Sequence, residues 1–429
     1  MPDKTISVNY LARVEGEGSL TIRFSDDGRP CEAQLAIFEP PRFFEAFLRG
    51  RSQLELPDIT ARICGICPVA YQMSSSQAIE AIVGSEVTGM LRELRRLLYY
   101  GEWIESHVLH IFMLHAPDFL GYPDALALAK DHPALVKRAL RLKKIGNAIM
   151  ILLGGREIHP INPRVGGFWQ VPTKGELQKL LPDLHWGLAA MQESLSLLAE
   201  LPYPNFERDY EFVSLRHPTE YPLLGERIVS SQGLDLALTE WDEFFVEEQV
   251  ERSNALHSLI KGRGSYLVGP LSRFNLNFNR LAPAAQEAAR LVGLSVPCRN
   301  PFKSLLVRAV ETVQALAEAI AIVERYEPPA EPQLTVSARA GTGAGCTEAP
   351  RGILYHHYAV DDAGIIQEAK IVPPTAQNLR TMEADLLELA PQLAELPHHE
   401  AVRRAEQAIR NFDPCISCAT HLLQLRFER

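Results

Sequence analysis

Two Cys-x-x-Cys pairs, Cys64/Cys67 and Cys415/Cys418, stand near opposite ends of a 429-residue chain that carries seven cysteines. A two-residue gap lets both sulfurs of a pair face one ion, and two pairs together make a four-thiolate site. Thiolates select zinc, an iron–sulfur cluster or nickel over magnesium or calcium. On the pairs alone, a structural zinc site and a redox site stand about level. Zinc staples serve small folds or short loops, whereas this chain can bury its own core, which tips the balance towards catalysis.

Other segments carry chemistry less plainly. Asp413-Pro414 precedes the second pair, and the proline biases Asp413 away from helix, predicting an extended turn that holds its carboxylate beside the metal. The same dipeptide also reads as a simple helix stop after residues 401–411. Arg13-Val14-Glu15-Gly16-Glu17-Gly18 places two acids and two glycines between strands, and read in isolation it is a solvated turn more often than a site. Glu348-Ala349-Pro350-Arg351-Gly352 either aims a guanidinium into a cavity or starts a strand. Gly341-Thr342-Gly343-Ala344-Gly345 lacks the strand-before, helix-after setting of a phosphate loop, so nucleotide binding there is rejected. His107 and His110, three residues apart, are read as buried, hydrogen-bonded groups rather than ligands.

The elements that must position these residues follow from pattern. Alternating runs over 19–25 and 32–38 flank Asp26-Asp27-Gly28 and predict a hairpin. Pro68 favours the first helical position, which puts Cys67 at a helix N-terminus, where the macrodipole lowers a thiol pKa. Apolar spacing predicts helices over 86–115, 134–153, 184–201, 302–326 and 375–389, the last stopping near Pro391. A second β patch covers 352–360 and 365–372. The fold class expected is α+β, predominantly helical, with a long-helix bundle core and peripheral small β-sheets. The chain reads as one domain over 1–429. Within it, 1–60 is β-rich, 61–330 is a helical core, and 331–421 holds a β patch, C-terminal helices and the second cysteine pair.

Composition bounds the partners. A hydrophobic content of 46% with 22% charged residues fits a globular chain, and a net charge of −10 gives no reason to expect nucleic acid. No apolar run approaches the ~18 residues needed to span a bilayer, so no transmembrane segment is expected. Met1-Pro2-Asp3-Lys4-Thr5 lacks a signal-peptide layout. Isolated Cys31, Cys298 and Cys346 argue against a disulfide framework and favour a reducing cytoplasm.

Taken together, the motifs resemble the large, catalytic subunit of nickel–iron hydrogenases. Arg13-Val14-Glu15-Gly16, Arg62-Ile63-Cys64-Gly65-Ile66-Cys67, Glu348 to Gly352, Pro374-Thr375-Ala376-Gln377-Asn378 and Asp413 to Cys418 with His421 occur in the family's order, end to end. Pro41-Arg42-Phe43-Phe44-Glu45 and Ile104-Glu105-Ser106-His107 look most like the α subunit of cytoplasmic NAD(P)-linked hydrogenases, the sulfhydrogenase type. The resemblance implies nickel held by Cys64, Cys67, Cys415 and Cys418, with Cys67 and Cys418 bridging to an iron that carries cyanide and carbon monoxide. It implies that Glu15 relays protons, that Arg351 hangs over the open metal position, and that Asp118 and Asp413 orient it. Glu45 and His421 match ligands of a separate magnesium or iron ion. Tyr71 stands where many relatives have a histidine that hydrogen-bonds a cysteine sulfur, a bond a phenol can also donate.

Reversible heterolytic cleavage of dihydrogen is the activity implied, with electrons passed to NAD(P). The alternatives are a deazaflavin or heterodisulfide-linked acceptor, a hydrogen-sensing regulatory hydrogenase, and a metal-free structural relative, which the four cysteines disfavour. Three scattered cysteines are too few for a conventional cluster, so electrons must leave through another polypeptide. The expected partners are a small iron–sulfur hydrogenase subunit, FAD-containing flavin/Fe–S diaphorase subunits that react with NAD(P), and a maturation protease. The protease is expected to remove residues 422–429, leaving His421 at the C-terminus.

Overall fold

In a computed structural model, residues 5–420 are described. About half of the chain is helical, and the sheets are small and antiparallel. The long helices are Pro68–Val83, Gly89–Val108, Pro133–Gly154, Leu181–Ala199, Ser304–Glu324 and Pro374–Ala394. Their buried faces, with the N-terminal sheet, form one continuous apolar core that also contains all four paired cysteines.

The N-terminal hairpin forms as its alternation predicts. Leu20, Ile22 and Phe24 of Gly18–Phe24 point into the core while their neighbours face outward. Its partner is Pro30–Ile37, and a third strand, Thr5–Val8, joins the other edge. The second patch also has a third strand: Gly341–Ala349 pairs with Gly352–Val360, which pairs with Ile366–Val372. The glycine-rich run is therefore strand, and its glycines answer to packing. A Cβ on Gly345 would lie 2.1 Å from the carbonyl oxygen of Ser74, so the Pro68–Val83 helix rests directly on this strand.

Helix boundaries depart from the periodicity at two places. The helix expected over 86–115 is α-helical only from Gly89 to Val108, widens into a π-helical turn over Leu109–His115, and gives way to Ala116–Leu120, which Pro117 opens. Such widened turns concentrate at functional sites. The stop expected near Pro391 is also absent, since the helix runs on to Ala394. A proline one turn from the end removes a single amide donor, and too little helix follows for the break to matter.

Two glycines set the central crossing. A Cβ on Gly146 would lie 2.5 Å from the carbonyl oxygen of Gly101 and 2.7 Å from the amide nitrogen of Glu105, so Gly89–Val108 and Pro133–Gly154 touch backbone to backbone. Pro332 lies against the small hairpin of Pro163–Arg164 and Gly167–Phe168, with the Phe168 amide donating to its carbonyl at 2.9 Å.

Candidate metal centre

The two cysteine pairs meet in the interior. Cys64 and Cys415 place their sulfurs 3.5 Å apart, Cys67 and Cys418 theirs 3.8 Å apart, and all four lie within 4.8 Å of one another. Each pair reaches this point from a turn that a helix pins. Cys64 follows the Ala61–Ile63 turn, Pro68 starts the long helix after Cys67, and Cys418 sits in the short Ile416–Ala419 helix. The Cys415 amide donates to Thr375 Oγ1 at 3.0 Å, anchoring the second pair to the Pro374–Ala394 helix.

Negative charge settles on Cys64 rather than on Cys67. The amides of Ile66 and Cys67 both donate to Cys64 Sγ, at 3.3 and 3.2 Å. Burial alone would push the Cys64 thiol up, but hydrogen bonds from Cys415, Cys418 and Cys67 and the charge of Arg351 hold it well below its usual range. Cys67, expected to be lowered by its helix start, is instead raised. A hydrogen bond with Cys415 favours its thiolate, yet those with Cys418 and Cys64, and burial, outweigh it. The helix-start amides are engaged elsewhere, because Val69 and Ala70 donate to the buried carboxylate of Glu102 at 2.6 and 3.2 Å.

Glu15 reaches the cluster from the N-terminal loop. Its Oε2 lies 3.0 Å from Cys415 Sγ and accepts the Ser417 amide at 3.0 Å, while its carbonyl accepts the Ile416 amide at 2.9 Å. This docking requires the next residue to be glycine. Gly16 has φ +91°, and a Cβ there would fall 2.6 Å from Ile416 Cβ.

Arg351 covers the cluster from the other strand end. It is 2% exposed, donates from Nε to the Asp413 carbonyl at 2.5 Å, and holds the Asp413 carboxylate at 3.0 Å through Nη2. Burial alone would lower its pKa, but Asp413 and the cysteine sulfurs raise it well above its ordinary value, so it stays a cation. Asp413 is not extended: its φ is +52°, a left-handed turn that lets carbonyl and carboxylate face the same guanidinium. A second buried arginine aims the first. Arg273 donates to the carbonyls of Ala349 and Pro350, at 2.9 and 3.0 Å, and is held by Glu311 and Glu348.

Asp118 is elsewhere engaged, which corrects its expected role. Its carboxylate takes Arg410 Nε and Nη2 at 2.7 and 2.9 Å, together with Arg13, and no hydrogen bond or ion pair with Arg351 is found among the described residues. Arg410 precedes Asp413 by three residues and Arg13 precedes Glu15 by two, so Asp118 locks together the loops that carry both groups. Glu45 lies apart from the cysteines. Its Oε1 accepts the Ile371 amide at 2.6 Å, and it opens on a cleft of about 500 Å³ lined also by Glu247, Asp242 and Lys370. Burial pushes its carboxyl up to about 8. His421 and the 422–429 tail lie outside the described residues.

Tyr71 Oη is buried and makes no hydrogen bond among the described residues, so the bond that a phenol can donate to a cysteine sulfur is not formed there. Burial first, then the charge of the four cysteines, pushes its phenol well up. Both histidines are buried as expected, and His110 Nε2 is hydrogen-bonded with the Arg410 carbonyl at 2.7 Å, whereas His107 Nε2 lies 3.0 Å from the Glu311 carboxylate without hydrogen-bond geometry. Glu102 and Arg273 escaped sequence reading because each sits mid-helix with no local motif to mark it.

The residues fit a thiophilic metal. Four buried sulfurs lie within reach of one ion, and Arg351 Nη1 is buried beside them without a partner. The nickel-dependent hydrogenase family profile matches residues 42–145 and 286–421. The chain belongs to the nickel-dependent hydrogenase family. It is 34% identical over 428 residues to sulfhydrogenase 1 subunit alpha of Pyrococcus furiosus, covering 98% of each chain. It is 35% identical to sulfhydrogenase 2 subunit alpha of the same organism, covering 98% of this chain and 100% of that one. Among solved structures it superposes on a NAD+-reducing [NiFe]-hydrogenase in the H2-reduced state with a TM-score of 0.90 and 28% identity, covering 97% and 99% of the two chains. It is thus the catalytic subunit of a nickel–iron hydrogenase, and it works with a small-subunit partner.

Proposed function

We propose that this hydrogenase subunit splits dihydrogen reversibly in the cytoplasm and hands the electrons, through a small iron–sulfur subunit and flavin-containing diaphorase subunits, to NAD(P). The observation that carries the reading is Glu15 docked on Cys415 at the four-sulfur pocket, with Arg351 buried on the same pocket. The NAD(P) link is supported by the likeness to a NAD+-reducing enzyme.

Cys64, Cys67, Cys415 and Cys418 would hold the metal. When bound there, the nickel–iron pair supplies the Lewis acidity and redox capacity that no side chain has. The chain's own residues manage protons and charge. Heterolysis gives a proton and a hydride equivalent, and oxidation of the latter gives two electrons and a second proton. Cys415 Sγ is placed to take a proton and pass it to Glu15 Oε2 across their 3.0 Å contact. Arg351 acts through position and charge, since a guanidinium held cationic by Asp413 is a poor base but a strong stabiliser of developing negative charge.

Electrons must leave the chain. Among the described residues the four paired cysteines are the one cluster able to bind metal, Cys31 is exposed, and Cys298 and Cys346 are buried singly. Among the described residues no helix is long and apolar enough to cross a membrane. Glu45, with His421, would bind the separate magnesium or iron ion.

The test is infrared spectroscopy of the purified complex with nickel measured alongside, followed by hydrogen-dependent reduction of NAD and NADP. Bound cyanide and carbon monoxide bands, about one nickel per chain, and NAD(P)H formation are expected. A nickel-free preparation with full turnover would sink the reading.

A further inference from the structure

Beyond Glu15, a second acid stands at the central helix crossing, near enough to Arg351 and Cys64 for their charges to act on it. Glu102 caps the helix that follows Cys67, and Glu105 lies one turn further along the same face of Gly89–Val108. Gly146 brings the backbone of Pro133–Gly154 against Glu105, and Lys143, one turn earlier on that helix, reaches Glu105 Oε1 at 2.8 Å. The Glu105 side chain is 11% exposed and Lys143 26% exposed, so the outer oxygen borders solvent. The other oxygen, Oε2, is buried and has no hydrogen-bond partner, and the same holds for Ser106 Oγ and Arg351 Nη1. Buried polar atoms left this way in a native protein mark places for ordered water.

We propose that Glu105 is a second proton relay, linking the Arg351 and Cys64 side of the metal pocket to solvent, with Lys143 as the positioning residue that holds its carboxylate at 2.8 Å. The proton arrives through water on Oε2, converting carboxylate to acid, and leaves to bulk water at the exposed edge, so one proton crosses and no electron moves. The groups facing Glu105 are Lys143, Arg351, Cys64 and, on its own helix, Glu102, and it makes no hydrogen bond to any of the four cysteines among the described residues. Burial raises its carboxyl, and Lys143 then Arg351 pull it back, which places it closer to the range where a relay exchanges protons quickly. Glu15 serves the Cys415 side, so the two acids drain different sulfurs.

The proposal rests on the hydrogenase reading, and one set of measurements on the assembled complex separates the two. If the native complex turns over no dihydrogen, that reading fails. If it does, Glu105→Gln should lower turnover about tenfold and enlarge the solvent isotope effect, with nickel content and metal-ligand infrared bands unchanged. The hydrogen-minus-oxidised infrared difference spectrum should contain a carboxyl band that shifts in heavy water and vanishes in Glu105→Gln. Lys143→Met should move the acidic limb of the pH profile for hydrogen oxidation upward, because an acid that has lost its cation ionises at higher pH. A carboxyl band that persists in Glu105→Gln, or native turnover and isotope effect in that variant, overturns the proposal. If Glu105→Gln does not mature, Lys143→Met decides alone, and an unmoved pH limb overturns it.

Discussion

Glu15 Oε2 lies 3.0 Å from Cys415 Sγ although 400 residues separate them in sequence. The contact is built from backbone as much as from side chains. The Ile416 amide donates to the Glu15 carbonyl and the Ser417 amide to the Glu15 carboxylate, so the acid is fixed at the sulfur before any metal chemistry begins. A fixed donor–acceptor pair costs no reorganisation when the proton moves.

Glu15→Gln keeps the size and the Ser417 contact but removes the proton acceptor. Hydrogen oxidation should fall by at least ~10²-fold, the usual worth of a positioned acid–base group. Nickel content and metal-ligand infrared bands should match the native protein. Loss of nickel instead would mean that Glu15 builds the site rather than serving it.

Arg351→Lys should cost about 10²- to 10³-fold in turnover, in line with losing a positioned charge donor. A lysine cannot span the carbonyl and the carboxylate of Asp413 together. Arg273→Lys should do part of the same damage without touching the pocket, because Arg273 holds the Ala349-Pro350 turn that aims Arg351. Turnover with unchanged metal content is the measurement, and a native rate for Arg351→Lys would remove Arg351 from the chemistry.

Much of this site was legible in the sequence, for reasons that differ by residue. Cys-x-x-Cys spacing is a local geometric fact, so the pairs announced themselves, and Pro68 fixed the helix start beside Cys67. Glu15 and Arg351 lay in segments whose bland and functional readings were open, and resemblance rather than spacing favoured function. Asp118 shows the limit. An acid near a proline carries no record of its partner, and two arginines, Arg410 and Arg13, occupy it in the fold beside His115, which burial holds below its ordinary pKa. Thr5–Val8 alternates exposed and buried residues but, at four residues, was covered only by the general β-rich reading of the N-terminus, whereas Gly341–Ala349 escaped because a glycine-rich run lacks apolar alternation; what makes it a strand is the neighbour it pairs with.

Gly345→Ala tests the link between packing and metal. The added methyl would meet the Ser74 carbonyl at 2.1 Å, and backbone cannot yield as a flexible side chain can. The Pro68–Val83 helix must shift outward, carrying Cys67 with it. Expected outcomes are a fall in nickel retained after purification and a loss of roughly 1–3 kcal/mol in stability, the usual range for overpacking. Gly175→Ala, with open space around its Cβ and no left-handed backbone, leaves nickel at the native level and so serves as the control.

Acid should unfold the chain in two steps that begin at His107 and Glu311, which meet at 3.0 Å in a fully buried setting. Burial lowers His107 to about 4 from an ordinary value of 6.5, so the folded form keeps it neutral where the unfolded chain would protonate it. Its contribution is therefore full above pH 6.5 and is lost as pH falls from 6.5 towards 4, about 3 kcal/mol in all. Burial would raise Glu311, but Arg273 outweighs it and holds the carboxyl down at about 2, so its contribution is complete above 4.5 and is lost as pH falls from 4.5 towards 2. Urea midpoints of the purified chain should drop across the upper window and drop again across the lower one. His107→Gln should make the fall across the upper window shallower and leave the lower in place, the remainder coming from His110, His115 and His257, which burial also lowers. A variant as acid-labile between pH 6.5 and 4 as the native chain would show that the histidine is not the group being titrated.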